Sequence, residues 1–348
     1  MGNSEILRED IENILSSPFI EWGKLSGRKI LITGGTGLIG SMLTKTLIEA
    51  SHGKAEGVEI LLLSRDRAKA ERMFPDVPEK TLRFAEGSVE ALPDFTEKPD
   101  YILHGAAVTE SRAFVERPAE TIDTALSGTK NILALAKESP LRGMVYLSSM
   151  EVYGYPEKGH RVTEEDTGRI NSLDPRSSYP LSKLMCEAMC CAYASEYHVP
   201  VNILRLTQTF GPGVKAGDKR IFGYFADCVR SGEDIVLKTK GETCRSYLYT
   251  ADAVSAILKL LTEGKAGEAY NAADEGTYCS IADMAESVAK EWGLSVRYDI
   301  QDAAKNGFLN TLYMDLDCSK LKELGWQPQN GGRTLIEMFR RMIDGMQD

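Results

Sequence analysis

A tyrosine and a lysine four residues apart, Tyr179 and Lys183, form a pattern suited to acid–base chemistry. They stand in the segment Tyr-Pro-Leu-Ser-Lys, which opens a predicted helix, and side chains four apart lie on the same helical face. A lysine ammonium beside a phenol stabilises the phenolate and lowers the pKa of the tyrosine. We therefore predict that Tyr179 removes or returns a hydroxyl proton near neutral pH. The spacing also arises by chance, so its weight depends on its surroundings.

A predicted buried strand upstream of this pair ends in polar residues. It begins near Met144 and continues through Ser148-Ser149-Met150-Glu151 to Tyr153 and Gly154. Ligands of open α/β sheets bind at the carboxyl ends of the strands. The segment is therefore predicted to bring its polar groups to the site of Tyr179 and Lys183.

A glycine-rich turn near the N-terminus is the element predicted to hold a ligand beside these groups. Residues 30–40 read Ile-Leu-Ile-Thr-Gly-Gly-Thr-Gly-Leu-Ile-Gly, so an apolar run meets Gly34, Gly37 and Gly40 and then a segment with helical spacing. Without Cβ atoms the backbone can approach a pyrophosphate, and the positive end of the helix faces the anion. A tight turn needs glycine for steric reasons alone, but the flanking strand and helix are those that dinucleotide binding requires.

Taken together, Gly-x-x-Gly-x-x-Gly, Ser-Ser-x-Glu-Val-Tyr-Gly and Tyr-x-x-x-Lys resemble the extended branch of the short-chain dehydrogenase/reductase superfamily, the nucleotide-sugar epimerases and dehydratases. The resemblance runs from about Lys29 to about Asp344. It implies an α/β fold, with a Rossmann-type doubly wound parallel sheet and a smaller mixed α/β substrate domain. The expected parts are an N-terminal helical extension (1–27), an NAD(P)-binding domain (28–205) and a mainly substrate-binding part (206–348), of which 244–275 partly returns to the core.

The resemblance implies that NAD or NADP binds at the glycine-rich turn and the neighbouring strand ends. An acid after the second strand would bind the ribose 2′-hydroxyl of NAD, whereas arginine can neutralise the 2′-phosphate of NADP. Ser64 and Arg65 stand there, which favours NADP, unless Arg65 stacks on adenine or faces water. His104, on an apolar strand, is expected to be structural. The expected cofactor-binding residues are Gly34, Thr36, Gly37, Leu38, Ile39, Gly40, Ser64, Arg65, Ser88, Val89, Ala106, Ala107, Tyr179, Lys183 and Leu206.

The resemblance also implies a catalytic set, which is Ser149, Glu151, Tyr179 and Lys183. Ser149 would hydrogen-bond the reacting sugar oxygen beside Tyr179. Similar 4,6-dehydratases carry Asp-Glu where this chain has Met150-Glu151, and methionine cannot donate the proton that elimination of water needs. Epimerase or decarboxylase-like chemistry is therefore favoured, and Glu151 remains a candidate base, acid or hydrogen-bond partner.

The expected substrate-binding residues are Ser149, Met150, Gln208 and Arg245. Arg245 lies in an Arg-aromatic segment like that of the family, where a guanidinium can bind a nucleotide diphosphate bidentately. The alternative is a surface ion pair of Arg245 with Asp252 or Glu242. Gln208 takes the place of an asparagine that faces the diphosphate in similar proteins.

Composition argues against several other classes of function. The net charge is −10 and the basic residues are scattered, so a nucleic-acid surface is not expected. Nothing approaches the ~20 apolar residues of a membrane span, and no signal peptide is recognised, so we expect a cytoplasmic protein. The 7 cysteines lack metal-ligand spacing, and Cys186 and Cys190, which share a face of one predicted helix, are expected to be buried, reduced thiols without a metal site.

The sequence thus predicts an NAD(P)-dependent nucleotide-sugar enzyme that acts through a transient keto-sugar, oxidised at C4. One alternative is an NADPH-dependent reductase of nucleotide 4-keto-sugars, which Arg65 would suit. The other is a non-catalytic cofactor-sensing scaffold, against which the intact set of Ser149, Tyr179 and Lys183 argues. The implied ligand is a nucleotide-diphosphate sugar, and the resemblance implies a homodimer that pairs helices near 120–137 and 179–196.

Overall fold

The computed structural model describes residues 3–95, 97–109, 112–301, 311–329 and 332–346. Its strands are β1 (Lys29–Thr33), β2 (Glu59–Ser64), β3 (Leu82–Glu86), β4 (Tyr101–His104), β5 (Gly143–Ser149), β6 (Arg161–Val162), β7 (Val201–Leu206), β8 (Gln208–Phe210), β9 (Ile235–Leu237), β10 (Cys244–Tyr249), β11 (Ala269–Ala272), β12 (Asp274–Ser280), β13 (Val296–Tyr298) and β14 (Tyr313–Leu316).

The helices are α1 (Asn3–Leu15), α2 (Leu38–Ala50), α3 (Arg67–Met73), α4 (Ala113–Glu116), α5 (Pro118–Lys137), α6 (Ser178–Tyr197), α7 (Ile221–Ser231), α8 (Thr250–Glu263), α9 (Ile281–Trp292), α10 (Ser319–Glu323) and α11 (Leu335–Asp344). Short 3₁₀ helices at Met150–Tyr153 and Pro175–Ser177 lie beside the predicted site. Among the described helices, none combines the length and apolar character that a bilayer crossing requires.

A seven-stranded sheet in the order β11-β7-β5-β4-β1-β2-β3 forms the centre of the molecule, and its neighbouring strands are parallel. The strand order reverses at β1, which pairs with both β2 and β4. Ligands bind at such a switch point, outside the carboxyl ends of the strands. The predicted doubly wound parallel sheet is confirmed, and the glycine-rich turn follows β1 at its switch point.

Both faces of this sheet are buried, which explains its continuous apolar strands. Alternate residues of β1 point to opposite faces. Ile30 and Ile32 pack in a cluster with residues of α2 and α8, whereas Leu31 packs in a cluster with residues of α5 and α6. Helices therefore cover both faces, as the Rossmann-type architecture requires.

A second, mixed sheet lies beyond the first and has the order β12-β10-β14-β6, with β8 also paired to β10. Strand β8 begins two residues after β7 ends, so the chain passes directly from the first sheet to the second. Strand β6 comes from within residues 28–205 but pairs with β14 of the second sheet. Strand β11 pairs with β7 of the first. The proposed domain boundaries stay a prediction.

The N-terminal helix α1 is tied to the C-terminal helix α11 by a buried ion pair. Arg341 Nη2 donates to Asp10 Oδ1 at 2.6 Å, and the Tyr249 hydroxyl donates to Asp10 Oδ2 at 2.8 Å. Tyr249 ends β10, so this cluster joins both ends of the chain to the strand that carries Arg245.

Candidate active site

The turn after β1 leaves no room for side chains at two of its glycines. Gly34 has φ +76°, and a Cβ there would lie 2.8 Å from the carbonyl carbon of Gly105. A Cβ at Gly40 would overlap the carbonyl oxygen of Gly34. Gly37 is the N-cap of α2 and offers no capping side chain, so the first N–H groups of the helix remain available to an anion. The turn therefore fits the pyrophosphate of a dinucleotide.

A buried polar chain holds the segment after β4 against this turn. Thr33 Oγ1 accepts hydrogen bonds from the N–H groups of Gly105 at 3.2 Å and Ala106 at 3.1 Å, and lies 2.9 Å from His104 Nδ1. His104 Nε2 lies 3.1 Å from Thr129 Oγ1. Burial, with a smaller effect of Lys183, lowers the pKa of His104 to about 3, so its ring is neutral. His104 is structural, as predicted.

The end of β2 presents Arg65 to solvent. The Ser64 hydroxyl donates to the Asp66 carbonyl at 3.0 Å, and the Asp66 carboxylate accepts the Lys69 N–H at 2.8 Å as the N-cap of α3. The Asp66 carboxylate is thus already engaged in capping α3. Within the described ranges, Arg65 forms neither a hydrogen bond nor an ion pair. Its guanidinium is therefore available at the position predicted for the adenosine ribose.

Hydrogen bonds hold the loop after β3 against α5. Asn131 Nδ2 donates to the carbonyl oxygens of Val89 at 3.0 Å and Glu90 at 2.9 Å. The Val89 side chain is buried over Gly128, where a Cβ would lie 2.6 Å from Val89 Cγ2. Ser88 Oγ accepts the Ala91 N–H at 3.1 Å. These contacts fix the loop that carries Ser88 and Val89, two of the predicted cofactor-binding residues.

The predicted catalytic residues come together at the end of β5. Ser149 is its last residue, its Oγ accepts the Glu151 N–H at 3.2 Å, and its side chain lies near enough to the Tyr179 phenol to lower the pKa of that phenol. Lys183 Nζ lies 5.8 Å from the centroid of the Tyr179 ring. The same ammonium donates to the Leu147 carbonyl at 2.7 Å. Strand β5, the 3₁₀ helix that follows it and helix α6 thus bring the four residues of the predicted catalytic set to one edge of the sheet.

Burial controls ionisation at this site. It raises the pKa of the Tyr179 phenol, as does the Glu151 carboxylate, while the nearby Ser149 side chain and the Arg176 charge oppose the rise. Burial lowers the pKa of Lys183 to about 8. The lowering of the Tyr179 pKa that the sequence predicts is therefore not seen in this structure. The ammonium is directed at the Leu147 carbonyl rather than at the phenol, and desolvation dominates.

Sequence reasoning missed Phe114 and Arg176. The Phe114 ring stacks on Tyr179 with centroids 4.3 Å apart and planes 11° apart, and Ser178 Oγ donates to the Phe114 carbonyl at 3.1 Å. Arg176 Nη2 donates to Glu151 Oε2 at 3.1 Å. Phe114 covers one face of the phenol but leaves Tyr179 partly exposed. The sequence offered one indication that Arg176 belongs to the site, namely its position three residues before Tyr179.

The predicted substrate residues occupy two different environments. Gln208 and Arg245 lie on the adjacent strands β8 and β10, and Arg245 Nη1 donates to Gln208 Oε1 at 3.1 Å. Buried Nε of Arg245 has no hydrogen-bond partner, and in the described part of the chain Arg245 pairs with neither Asp252 nor Glu242. Met150 differs from expectation, because its side chain is 6% exposed and packs with Val152, Met314 and Leu316.

Residues 30–273 match the family model described as NAD dependent epimerase/dehydratase family. UDP-glucuronic acid decarboxylase 1 of Xenopus tropicalis is 28% identical over 97% of this chain and 80% of its own length. UDP-N-acetyl-alpha-D-glucosaminuronate decarboxylase of Bacillus cytotoxicus is 26% identical over 90% of this chain and 98% of its own.

Solved structures share the fold. An epimerase of Methanothermobacter thermautotrophicus superposes with a TM-score of 0.77 at 23% identity and covers 93% of each chain. A dTDP-glucose 4,6-dehydratase of Streptomyces venezuelae, solved with NAD bound, gives a TM-score of 0.75 at 23% identity, over 90% of this chain and 95% of that one.

Proposed function

This chain belongs to the NAD dependent epimerase/dehydratase family, and we propose that it is an NAD(P)-dependent enzyme that decarboxylates a nucleotide-activated uronic acid through a transient 4-keto sugar. The observation that carries the proposal is the convergence of Ser149, Tyr179 and Lys183 at the carboxyl end of β5. The relatives named as nucleotide-uronate decarboxylases favour this reaction within the family.

The cofactor would be held by the turn after β1 and by the neighbouring strand ends. Gly34, Gly37 and the N-terminus of α2 would bind the pyrophosphate, and Ser64 and Arg65 the adenosine ribose. When bound, NAD(P) supplies hydride chemistry, by accepting a hydride from the sugar carbon and returning it. The available guanidinium of Arg65 favours NADP, and NAD remains the alternative. Identification of the nucleotide that the purified protein releases on denaturation distinguishes the two, and release of NAD alone contradicts the role of Arg65.

Tyr179 is the proton acceptor for the C4 hydroxyl in this proposal. Its phenol is held protonated by burial, so the site must favour the phenolate when cofactor and sugar are bound. Lys183, with a pKa of about 8, is largely an ammonium at neutral pH. An ammonium has three donors, and one of them goes to the Leu147 carbonyl. The other two remain for the cofactor ribose and for stabilising the phenolate, while Ser149 binds the same sugar oxygen.

Glu151 is assigned to the second half of the reaction. Once C4 is a ketone, the bond between C5 and its carboxylate can break, its electron pair entering the enolate as CO₂ leaves. A proton must then be added at C5, and Glu151, the carboxylate nearest in sequence to Ser149 at this edge of the sheet, would take that proton from water and pass it to C5. Met150 is buried and has no acidic proton, which disfavours 4,6-dehydration.

Gln208 and Arg245 are assigned to the diphosphate of the substrate. Their side chains are already hydrogen-bonded to each other, and the guanidinium keeps a buried N–H without a partner. A buried donor of this kind is satisfied when an anionic oxygen arrives. The ligand that this geometry favours is a nucleotide-diphosphate sugar.

The test is to incubate the protein with nucleotide sugars, including UDP-glucuronic acid, and to identify products by mass and sugar stereochemistry. We expect a product lighter by one CO₂ without net consumption of cofactor, and no product from Tyr179→Phe. An isomer of unchanged mass would indicate a 4-epimerase, and net oxidation of NADPH would indicate a keto-sugar reductase. A scaffold would give no product and would be unaffected by Tyr179→Phe.

A further inference from the structure

Arg176 is a partly buried cation with unused hydrogen-bond donors beside the predicted site. It lies in the 3₁₀ helix Pro175–Ser177, and its Nη2 donates to Glu151 Oε2 at 3.1 Å. The Arg176 and Glu151 side chains are 18% and 31% exposed. A guanidinium has five N–H donors. Apart from this one contact, the Arg176 side chain donates no hydrogen bond to any described residue, so donors remain for a ligand.

Aromatic packing fixes the position of this guanidinium relative to Tyr179. Arg176 Cζ lies 4.9 Å from the centroid of the Phe114 ring, and that ring stacks on the Tyr179 phenol. Phe114 is buried, and its carbonyl accepts the Ser178 hydroxyl. The Arg176 cation, the Phe114 ring and the phenol are therefore linked by direct contacts. A sugar whose C4 hydroxyl reaches Tyr179 would have its C5 substituent within the same small region.

A uronic acid brings a second carboxylate to the region of Glu151. Two carboxylates at short range repel each other unless a cation lies between them. Arg176 already holds one carboxylate through a single N–H group. Its planar fork can bind a second carboxylate bidentately, which a lysine cannot do. A neutral hexose would leave those donors to water.

We propose that Arg176 is the specificity residue of this site, binding the carboxylate of a nucleotide-activated uronic acid while keeping its contact with Glu151. The inference rests on the proposed function and adds to it the residue that selects the acidic sugar. The product has lost the carboxylate and with it this contact. It should therefore bind more weakly than the substrate.

The test compares the dissociation constants of UDP-glucuronic acid and UDP-glucose in wild type, Arg176→Gln and Arg176→Lys. We expect wild type to prefer the acidic sugar and Arg176→Gln to lose about 10- to 100-fold in affinity for it, the loss typical of a charge-assisted hydrogen bond. Affinity for UDP-glucose should be unchanged. Arg176→Lys should retain part of the preference for the acidic sugar, because it keeps the positive charge but loses the planar pair of N–H donors.

Arg142→Gln is the matched control. Arg142 directly precedes the first residue of β5, at the opposite end of the strand from Ser149, and lies 3.5 Å from Asp100. This variant loses the same charge far from the site and should keep the preference of wild type.

The outcomes separate the inference from the proposed function. If wild type converts UDP-glucuronic acid and Arg176→Gln still prefers the acidic sugar as wild type does, the inference is overturned. The proposed function is then unaffected. Equal weakening of both ligands in Arg176→Gln and Arg176→Lys shows a structural role and also overturns it. Wild type that binds neither ligand overturns both proposals.

Discussion

At the scale of single residues, the candidate site depends on ionisable groups that the fold has taken out of water. Tyr179 and Lys183 were predicted from their spacing together with the polar strand end and the glycine-rich turn upstream, because residues four apart on a helix share a face. The pKa of the phenol could not be predicted in the same way. It depends on the Phe114 ring and on the Glu151 carboxylate, which reach Tyr179 from distant parts of the chain.

His104 is expected to make the protein sensitive to acid. Its pKa falls from 6.5 to about 3 in the fold, so its contribution to stability is complete above pH 6.5 and is lost as the pH falls below that value. We expect the free energy of unfolding to fall by about 2 kcal/mol from this residue between about pH 7.5 and about pH 5. Urea unfolding at both pH values, for wild type and His104→Gln, measures the difference.

The exposed His52 provides the control for that experiment. His52→Gln should show the same acid sensitivity as wild type. In His104→Gln, the free energy of unfolding should change less with pH, by the amount assigned to the His104 ring. Equal pH dependence of His104→Gln and wild type would contradict the assignment.

At the scale of elements, the turn between β1 and α2 should not tolerate even one added methyl group. Gly34→Ala places a Cβ against the Gly105 backbone and requires a left-handed conformation. We expect a loss of stability of about 1–3 kcal/mol and failure to retain the cofactor through purification. The measurement is the amount of nucleotide released per protein, with thermal unfolding alongside.

Gly53→Ala is the comparison for the turn. A Cβ at Gly53 would have no heavy atom within 4 Å, and the residue is not in the left-handed region. This variant should keep both stability and cofactor. Full cofactor retention by Gly34→Ala would show that the turn does not approach the pyrophosphate.

Helix α1 should stabilise the molecule through its buried acid. Asp10→Ala removes the buried acceptor that Arg341 and the Tyr249 hydroxyl share but leaves Arg341 its contacts with Glu9 and with the Tyr249 oxygen, and we expect a loss of about 1–3 kcal/mol in urea unfolding. Glu12 of the same helix is exposed and pairs with Arg8 at 3.6 Å, so Glu12→Ala should change stability little. Similar effects of both substitutions would argue that α1 is only loosely attached.

The elements themselves were largely predictable, because their patterns are local. The helical pattern at residues 4–15 corresponds to α1, and the apolar runs at 30–33 and 58–63 correspond to strands buried on both faces. The ion pair of Asp10 with Arg341 was not predicted, since 331 residues separate the partners. Met150 was expected at the substrate and lies in a core formed with β14, which no local pattern indicates.

At the scale of the whole molecule, the family resemblance leads us to expect a homodimer through α5 and α6. Met185 of α6 is 54% exposed, so it is an apolar side chain of that helix which a partner subunit at this surface would cover. We expect Met185→Glu to shift the protein to monomer, because a buried charge opposes the contact. Light scattering after size exclusion measures the mass in solution.

Ile300 gives the control for the dimer, because it is 58% exposed and lies away from α5 and α6 in the chain. Ile300→Glu should remain dimeric. Wild type that is already monomeric would contradict the expectation, as would an equal effect of the two substitutions.

In the proposed reaction, C4 of the sugar is oxidised and then reduced again within one binding event. This cycle is tested most directly with UDP-glucuronic acid that carries deuterium at C4. We predict that the decarboxylated product keeps the deuterium at C4, and that no reduced cofactor accumulates. A product that has lost the label, or one formed with stoichiometric consumption of cofactor, would contradict the account.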